Sequence, residues 1–309
     1  MSEPVVFENV TKIFWGSKRV VRALDNASFK IPSKTVAGLL GPNGSGKTTS
    51  FKLVMGFLKP SSGKVSVFGV DPWMRGESVR RRIGYLPEKP VYPDVPVYRY
   101  LRYVAKVRNA SEEDVSRIVR LVGLSGYVWM NTRGLSRGYL QRLGLAQALI
   151  GDPELLLLDE PTANLDPLSR REILELIKDL KKELGITIVI ATHILPELQE
   201  VVDYLIYINR GRVVESGMLE ELATRYYVDA YYYIEVEEPR KLASRLVVED
   251  YVRGVEIRDK SLVVRINAAF KEELLRVLSL PEYSIGIRRV EMLTSELGEL
   301  YEKLSGSSR

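Results

Sequence analysis

Gly41-Pro42-Asn43-Gly44-Ser45-Gly46-Lys47-Thr48 decides how this chain is read. The stretch fits the spacing G-x-x-x-x-G-K-[ST], in which backbone N–H groups turn inward around an anion. Its three glycines permit that turn, because a residue without a Cβ enters conformations other residues avoid. The flanks agree with the loop. Residues 36–40 form an apolar run expected as a strand, and residues 48–58 are expected as a helix. A helix beginning there aims its positive end at the same anion. Lys47 is expected to reach the β- and γ-phosphates, and the Thr48 hydroxyl to hold Mg²⁺.

The chain has 309 residues, long for one domain and comfortable for two. Its 45% hydrophobic and 28% charged fractions are those of an ordinary globular protein. A net charge of +5, spread along the chain, argues for no nucleic-acid partner and leaves only a weak attraction to an anionic membrane surface. Cysteine is absent, which excludes disulfides and thiolate metal sites. Met1-Ser2-Glu3-Pro4 lacks the basic and apolar regions of a secretion signal. No run reaches the roughly 18 apolar residues of a membrane span. A cytoplasmic protein is expected, with any membrane role reached through a partner.

Strands are expected over 5–10, 27–31, 64–68 and 82–86, with a turn-rich segment between the first two. Pro90, Pro93 and Pro96 make 88–96 an extended connector. Two helices follow. Residues 97–108 place Tyr100, Leu101, Val104 and Val107 on one stripe, and 111–122 open on Ser111 and Asp114, a capping-box-like pair. Residues 88–135 therefore read as a small helical insert in an α/β core. That core resumes with a helix over 138–150, a buried strand over 154–158, a helix over 168–183, a buried strand over 186–191 and a hairpin over 205–215. Continuous apolar strands alternating with helices imply a mainly parallel sheet covered on both faces. Beyond residue 222 the order becomes β-α-β-β-α-β with a last helix over 295–304, resembling a ferredoxin-like module. There Tyr226, Tyr227 and the tyrosines at 231–233 form a cluster that suits strand packing, or else a dimer or regulatory contact.

Four further stretches carry chemistry. The apolar run 155–158 ends in Asp159-Glu160, delivering two carboxylates to the carboxyl edge of the sheet, where open α/β sheets bind ligands. Asp159 is expected to hold Mg²⁺ through water, and Glu160 to polarise the attacking water. His193, the single histidine, follows the strand 186–191 and suits a hydrogen bond to a γ-phosphate oxygen or to the nucleophilic water. Ser136 stands at a helix N-cap, so its hydroxyl, the Gly138 N–H and the helix dipole together form an anion site, or simply a capped helix. Asp166-Pro167 is a capped, rigid helix start suited to a contact across an interface.

In this order and spacing the elements resemble the ATP-binding cassette of ABC transporters, over roughly residues 4–222. The resemblance makes 41–49 the Walker A loop, Thr49 included, and 155–160 the Walker B strand. It makes 135–139 the signature, 163–166 the D-loop and His193 the switch histidine. Phe14 lies where an aromatic stacks on adenine, with Trp15 a substitute. The implied fold is a P-loop NTPase cassette: a mainly parallel sheet, an antiparallel β subdomain and the helical insert. It spans 1–222 and is followed by a small α+β accessory domain over 223–309. The implied activity is ATP hydrolysis with Mg²⁺. Two subunits, expected as a homodimer, would sandwich each ATP between one Walker loop and the other signature. They would drive an integral membrane permease from the inner face of the membrane.

Three residues depart from the family pattern. Glu88 stands where a glutamine is usual, Arg137 replaces a signature glycine and Tyr139 a signature glutamine. A carboxylate at 88 still suits Mg²⁺ or water, although its charge is unfavourable near phosphates unless a metal offsets it. Similar substitutions mark the subfamily serving ABC-2-type permeases, which implies an exporter. Residues 141–148 and the insert, with Tyr92, Val95 and Tyr98, are expected near the permease. The other reading is an ABC ATPase without a transporter. A repair type should carry a long coiled coil between its Walker motifs, a translation type two cassettes, and an assembly type no accessory domain. None of these fits.

Overall fold

The computed structural model describes residues 3–16, 19–194, 198, 201–226, 228–280, 283, 286–294, 298, 300 and 304. The chain forms two compact units, Met1–Ser216 and Gly217–Arg309.

In the first unit β1 (Val5–Trp15) and β2 (Val20–Ile31) form an antiparallel pair, and β3 (Val36–Leu40) leads into the glycine-rich loop. Next come α1 (Lys47–Val54), β4 (Ser62–Val67), α2 (Gly76–Arg81) and β5 (Ile83–Leu86). The insert contributes α3 (Val97–Arg108) and α4 (Glu112–Leu121). Then follow α5 (Arg137–Leu149), β6 (Leu155–Asp159), α6 (Pro167–Leu184), β7 (Thr187–Thr192), β8 (Tyr204–Asn209) and β9 (Arg212–Met218). The strands make two sheets, one antiparallel in the order β2-β1-β4, the other in the order β5-β6-β7-β3-β8-β9. In the larger sheet β5, β6, β7, β3 and β8 run parallel.

Of the expected turn-rich segment between the first two strands, residues 11–15 and 20–26 are instead strand. Asn9 and Asn26 adopt φ values of 50° and 52° near the register shifts, so bulges carry the pairing past polar residues that break the apolar pattern. One core joins both sheets. Phe7 stacks on Phe29 at 4.3 Å between ring centres, and Phe51, Leu53 and Val54 of α1 pack into the same cluster as Leu155, Leu157, Val189 and Ala191. The helix that begins at the loop is thereby fixed to the strands that carry the acids. In the insert, α4 starts with a full capping box between Ser111 and Asp114. The α3 stripe differs from expectation. Val97, Leu101 and Ala105 are buried, whereas Val107 is 65% exposed. The buried positions repeat every four residues, and Val107 lies off that line on the helix wheel.

In the second unit α7 (Leu219–Arg225) is followed by β10 (Asp229–Val236), α8 (Pro239–Leu246), β11 (Val252–Arg258), β12 (Ser261–Asn267), α9 (Lys271–Ser279) and β13 (Ile287–Thr294). The strands order as β11-β12-β10-β13, all neighbours antiparallel. The units divide at 216/217 rather than 222/223, because α7 buries Leu219, Leu222 and Ala223 and packs on the turn Ala268–Phe270 of this unit. The expected helix over 295–304 lies mostly outside the described residues; Tyr227 also lies outside them.

Close packing of α5 on β5 depends on Gly84. A Cβ there would meet the Ala148 carbonyl oxygen at 2.1 Å and the Leu156 side chain at 2.9 Å. Backbone cannot swing aside as a side-chain tip does. Gly84→Ala is expected to destabilise the first unit by about 3 kcal/mol, in the upper range for overpacking. Urea titration of the full chain checks this, and a loss below about 1 kcal/mol would show that α5 can retreat.

Candidate functional site

The parallel register sets the site. Leu40 is level with Thr192, and Asp159 with Ala191, so three strands end together at the carboxyl edge. A cleft of about 750 Å³ opens there. Its lining includes Phe14, Asn43, Gly44, Gly46, Lys47, Thr48, Thr49, Glu88, Asp159, Glu160 and His193. Gly41, Pro42 and Ser45 complete the loop outside that lining. A Cβ on Gly41 would lie 2.1 Å from the Ile208 carbonyl oxygen, which keeps the loop tight against β8. Gly46 precedes α1 at φ 115°, a conformation that requires glycine. A cleft of similar size, about 800 Å³, lies at the opposite, amino-terminal edge, beside Lys34, Arg82, Glu154 and Thr187. It holds none of the expected site residues.

Lys47 is 6% exposed, and its ammonium donates to the carbonyls of Gly41 at 2.7 Å and Pro42 at 3.3 Å. It stands 3.6 Å from a Glu160 carboxylate oxygen. Thr48 Oγ1 donates to Asp159 Oδ2 at 3.0 Å. Glu160 accepts from Thr192 Oγ1 at 3.1 Å, and His193 Nδ1 lies 2.9 and 3.0 Å from its two oxygens. With its proton on Nδ1, the imidazole donates to Glu160 and leaves Nε2 as an acceptor. Glu160 itself sits at φ 50°, and Ala163 N–H donates to its carbonyl at 3.1 Å. A glutamate in the left-handed region is strained, and such strain gathers at functional sites.

The charges are crowded. Burial pushes the Asp159 carboxyl above its ordinary value of 3.8, and Glu160 and Glu88 add to the rise, while the Thr48 hydrogen bond and Lys47 oppose it. Burial also lowers the Lys47 ammonium, opposed by Glu160, Asp159 and Glu88. The Tyr85 phenol is pushed up to about 12 by burial and by Asp159 and Glu88. Such a site calls for cations. A hydroxyl and a carboxylate in contact at the start of α1 are hard oxygen donors, and Mg²⁺ is commonly held by one or two carboxylates with phosphate oxygens completing the shell. The Ser45 hydroxyl is buried with no partner among the described residues, an orphan beside the anion loop.

The signature stands apart from this cleft. Ser136 caps α5, accepting from Tyr139 N–H at 3.4 Å, and neither Ser136 nor Gly138 lines the pocket. Arg137 Nη1 donates to the Asn164 carbonyl at 3.3 Å, tying the signature to the D-loop, and Asn164 does line the cleft. Tyr139 packs on Tyr127 with ring centres 3.8 Å apart. Asp166 caps α6, its Oδ1 accepting from the N–H groups of Leu168 and Ser169. Glu88 is exposed at the cleft rim, 3.5 Å from Lys89. Phe14 is 40% exposed, with the Lys12 ammonium 5.1 Å from its ring centre; Trp15 is 79% exposed and outside the lining. Sequence reasoning missed Thr192, which ties β7 to Glu160. Its signal was a hydroxyl closing a strand that is apolar except for Thr187 at its start.

The family model described as "ABC transporter" matches residues 24–163. An uncharacterised ABC transporter ATP-binding protein of Bacillus subtilis, YhcH, is 31% identical over 312 residues, covering 100% of this chain and 98% of that protein. The chain belongs to the ABC transporter ATP-binding family. The bacitracin transport ATP-binding protein BcrA of Bacillus licheniformis is 29% identical over 308 residues, 99% of this chain and 98% of that protein. Methionine import ATP-binding proteins also match, over 71% of this chain. The solved structure of cbiO1 from Clostridium perfringens, part of the cbiONQ transporter complex, covers 72% of this chain and 91% of its own, with a TM-score of 0.65 and 31% identity. The cassette binds ATP and hydrolyses it to drive transport, and subunits of the family partner with membrane permease components. Among the described residues, no helix is long and apolar enough to cross a membrane.

The raised Asp159 carboxyl has a consequence for stability. The folded chain binds its proton more tightly than the unfolded chain does, so stability falls as pH rises through the folded pKa. At neutral pH, without a counter-ion, the carboxylate is a cost. Asp159→Asn is expected to raise the melting temperature of the nucleotide-free protein by about 2–4 °C, the effect of roughly 1 kcal/mol in a domain of this size. Calorimetry should show the gain at pH 7 and less of it in acid; an unchanged or lower Tm would refute the burial argument.

Proposed function

We propose that this chain is the motor of an export system. It would act as a homodimer that closes around two ATP molecules at the inner, cytoplasmic face of a membrane and drives a permease. The observation that carries the catalytic part is the convergence on one cleft of Lys47 with Glu160, Thr48 with Asp159, and His193 with Glu160. The loop N–H groups of residues 41–49 and Lys47 bind the phosphates. Thr48 and Asp159 would hold Mg²⁺, and Glu88 lines the same cleft. When bound, the metal neutralises charge on the transferring phosphoryl. Glu160 takes the proton of the attacking water, and His193 and Thr192 hold that carboxylate in place. Phe14 offers its ring to the adenine. Ser136 and Gly138 lie outside the lining of their own cleft, which suits them to the nucleotide of the second subunit.

Export is the finer step. Its support is the relation to BcrA, a bacitracin transport ATP-binding protein, which runs nearly the whole length of this chain, second unit included, whereas the import relatives match a shorter stretch. The departures at Glu88, Arg137 and Tyr139 point the same way.

Glu160→Gln is expected to lower ATP turnover by about 10²–10⁴, the worth of a positioned general base, while ATP binding persists. Phosphate release by the purified chain measures this, and unchanged turnover would remove Glu160 from the mechanism. Direction is read in inverted membrane vesicles containing the chain and its permease. An exporter should accumulate cargo inside them when ATP is added outside, and ATP-driven loss of preloaded cargo would make it an importer.

A further inference from the structure

Two of the three tryptophans stand where a role is already expected. Trp15 adjoins Phe14 near the adenine, and Trp129 packs on Tyr98 in the insert, with ring centres 5.5 Å apart. Trp73 is left over. It lies in the turn between β4 and α2 beside Met74, and the two side chains are 46% and 74% exposed. The turn that carries them is firmly held. Asp71 Oδ1 accepts from the N–H groups of Trp73 at 2.8 Å and Met74 at 3.4 Å, and Arg75 N–H donates to the Asp71 carbonyl at 2.9 Å. Pro72 is buried against Gly56, where a Cβ would lie 2.0 Å from the Pro72 carbonyl oxygen. Beside that contact Phe57 is 54% exposed, with the Arg80 guanidinium 5.3 Å from its ring centre. Phe57 N–H donates to the carbonyl of Lys52 at 2.8 Å. Lys52 and Arg75 are both exposed and have no ion pair among the described residues. The two acids of segment 70–81 are engaged, Glu77 with Arg81 at 2.9 Å and Asp71 with its own turn.

We propose that this turn is a membrane foot: Trp73, Met74 and Phe57 enter the headgroup layer of an anionic lipid surface, and Lys52 and Arg75 meet its phosphates. Large apolar side chains grouped on a surface mark a contact with something other than water. Tryptophan settles at the depth of lipid headgroups, its ring among the first acyl carbons, and bases beside it are drawn to anionic lipid. The unpaired bases select this occupant. An apolar groove of a protein would take the three apolar side chains but bury or strand the charges, which is costly without partners. A lipid surface offers hydrocarbon and phosphate side by side. The foot contains no residue of the nucleotide cleft. It rests on the reading that the chain works at a membrane, and not on the direction of transport.

The test mixes the purified full chain with vesicles that hold no permease. The chain should sediment with vesicles of phosphatidylglycerol and phosphatidylcholine in equal parts, and not with phosphatidylcholine alone. Bromine on acyl carbons near the headgroup should quench its tryptophan emission. Trp73→Ser with Met74→Ser should weaken binding at least about tenfold, the worth of one large apolar side chain withdrawn from water. Arg75→Gln should weaken it about fivefold, the worth of one base near an anionic surface. Trp129→Ser, the exposed tryptophan of the insert, should leave binding and quenching unchanged. Melting temperatures report that the variants are folded. No binding to the anionic vesicles would overturn the foot. So would binding that the double serine variant leaves intact, which would be the pull of the net charge of +5 alone. Equal loss with Trp129→Ser, or binding only where the vesicles carry the permease, would assign the contact to the insert or to a protein. If the double variant fails to fold, Trp73→Phe decides, because quenching that persists without Trp73 overturns the proposal. Vesicle binding needs neither ATP nor cargo, so its failure leaves the transport reading standing, and failure of that reading leaves the binding to be seen.

Discussion

A buried ammonium surrounded by more negative charge than it can balance governs this cassette. Lys47 is held by two loop carbonyls and by Glu160, and Asp159 and Glu88 act on it as well. Two buried carboxylates against one buried lysine leave the cleft short of positive charge, while Glu88, at the rim, has Lys89 beside it. A magnesium ion supplies two such charges, and the phosphates of ATP arrive with it. Stability given up at an active site in this way is a common exchange for activity.

The same crowding explains why the surrounding frame is stiff. Glu160 adopts a conformation that glutamate avoids, and it is kept there by Thr192, His193 and the turn to Ala163. Those contacts exist because β6 and β7 lie in parallel register and end together. Behind them, Phe51 and Leu53 of α1 share a core with Leu155 and Leu157 of β6. A shift of either element would be felt at the other, since packed interiors deform little. The core thus fixes the loop relative to the acids without any direct bond between the two backbones.

The signature shows the opposite logic. Ser136 is well formed as a helix cap and has no role in its own cleft. Arg137 nevertheless reaches the Asn164 carbonyl, at the wall of that cleft. Arginine at this position thereby links the start of α5 with the wall of the cleft. Tyr139, where the family has glutamine, is occupied by packing on Tyr127. Ser136 still caps α5.

Much of this was legible in the residues themselves. The glycine spacing at 41–46, the acids closing the run 155–158 and the histidine after 186–191 are local signals, because each is a strand end whose side chain must emerge at the sheet's carboxyl edge. The α/β order and the helix caps at Ser111, Ser136 and Asp166 were equally local. Other features depended on partners distant in sequence. The long β1–β2 pair passes through bulges that break its alternation, Val107 turns outward because α3 packs along a different line, and the unit boundary moves because α7 buries its apolar face in the second unit. The role of Thr192 and the reach of Arg137 could be seen only in three dimensions. Sequence specifies what a residue can do within a few positions of itself; which groups are left to meet one another is decided by packing.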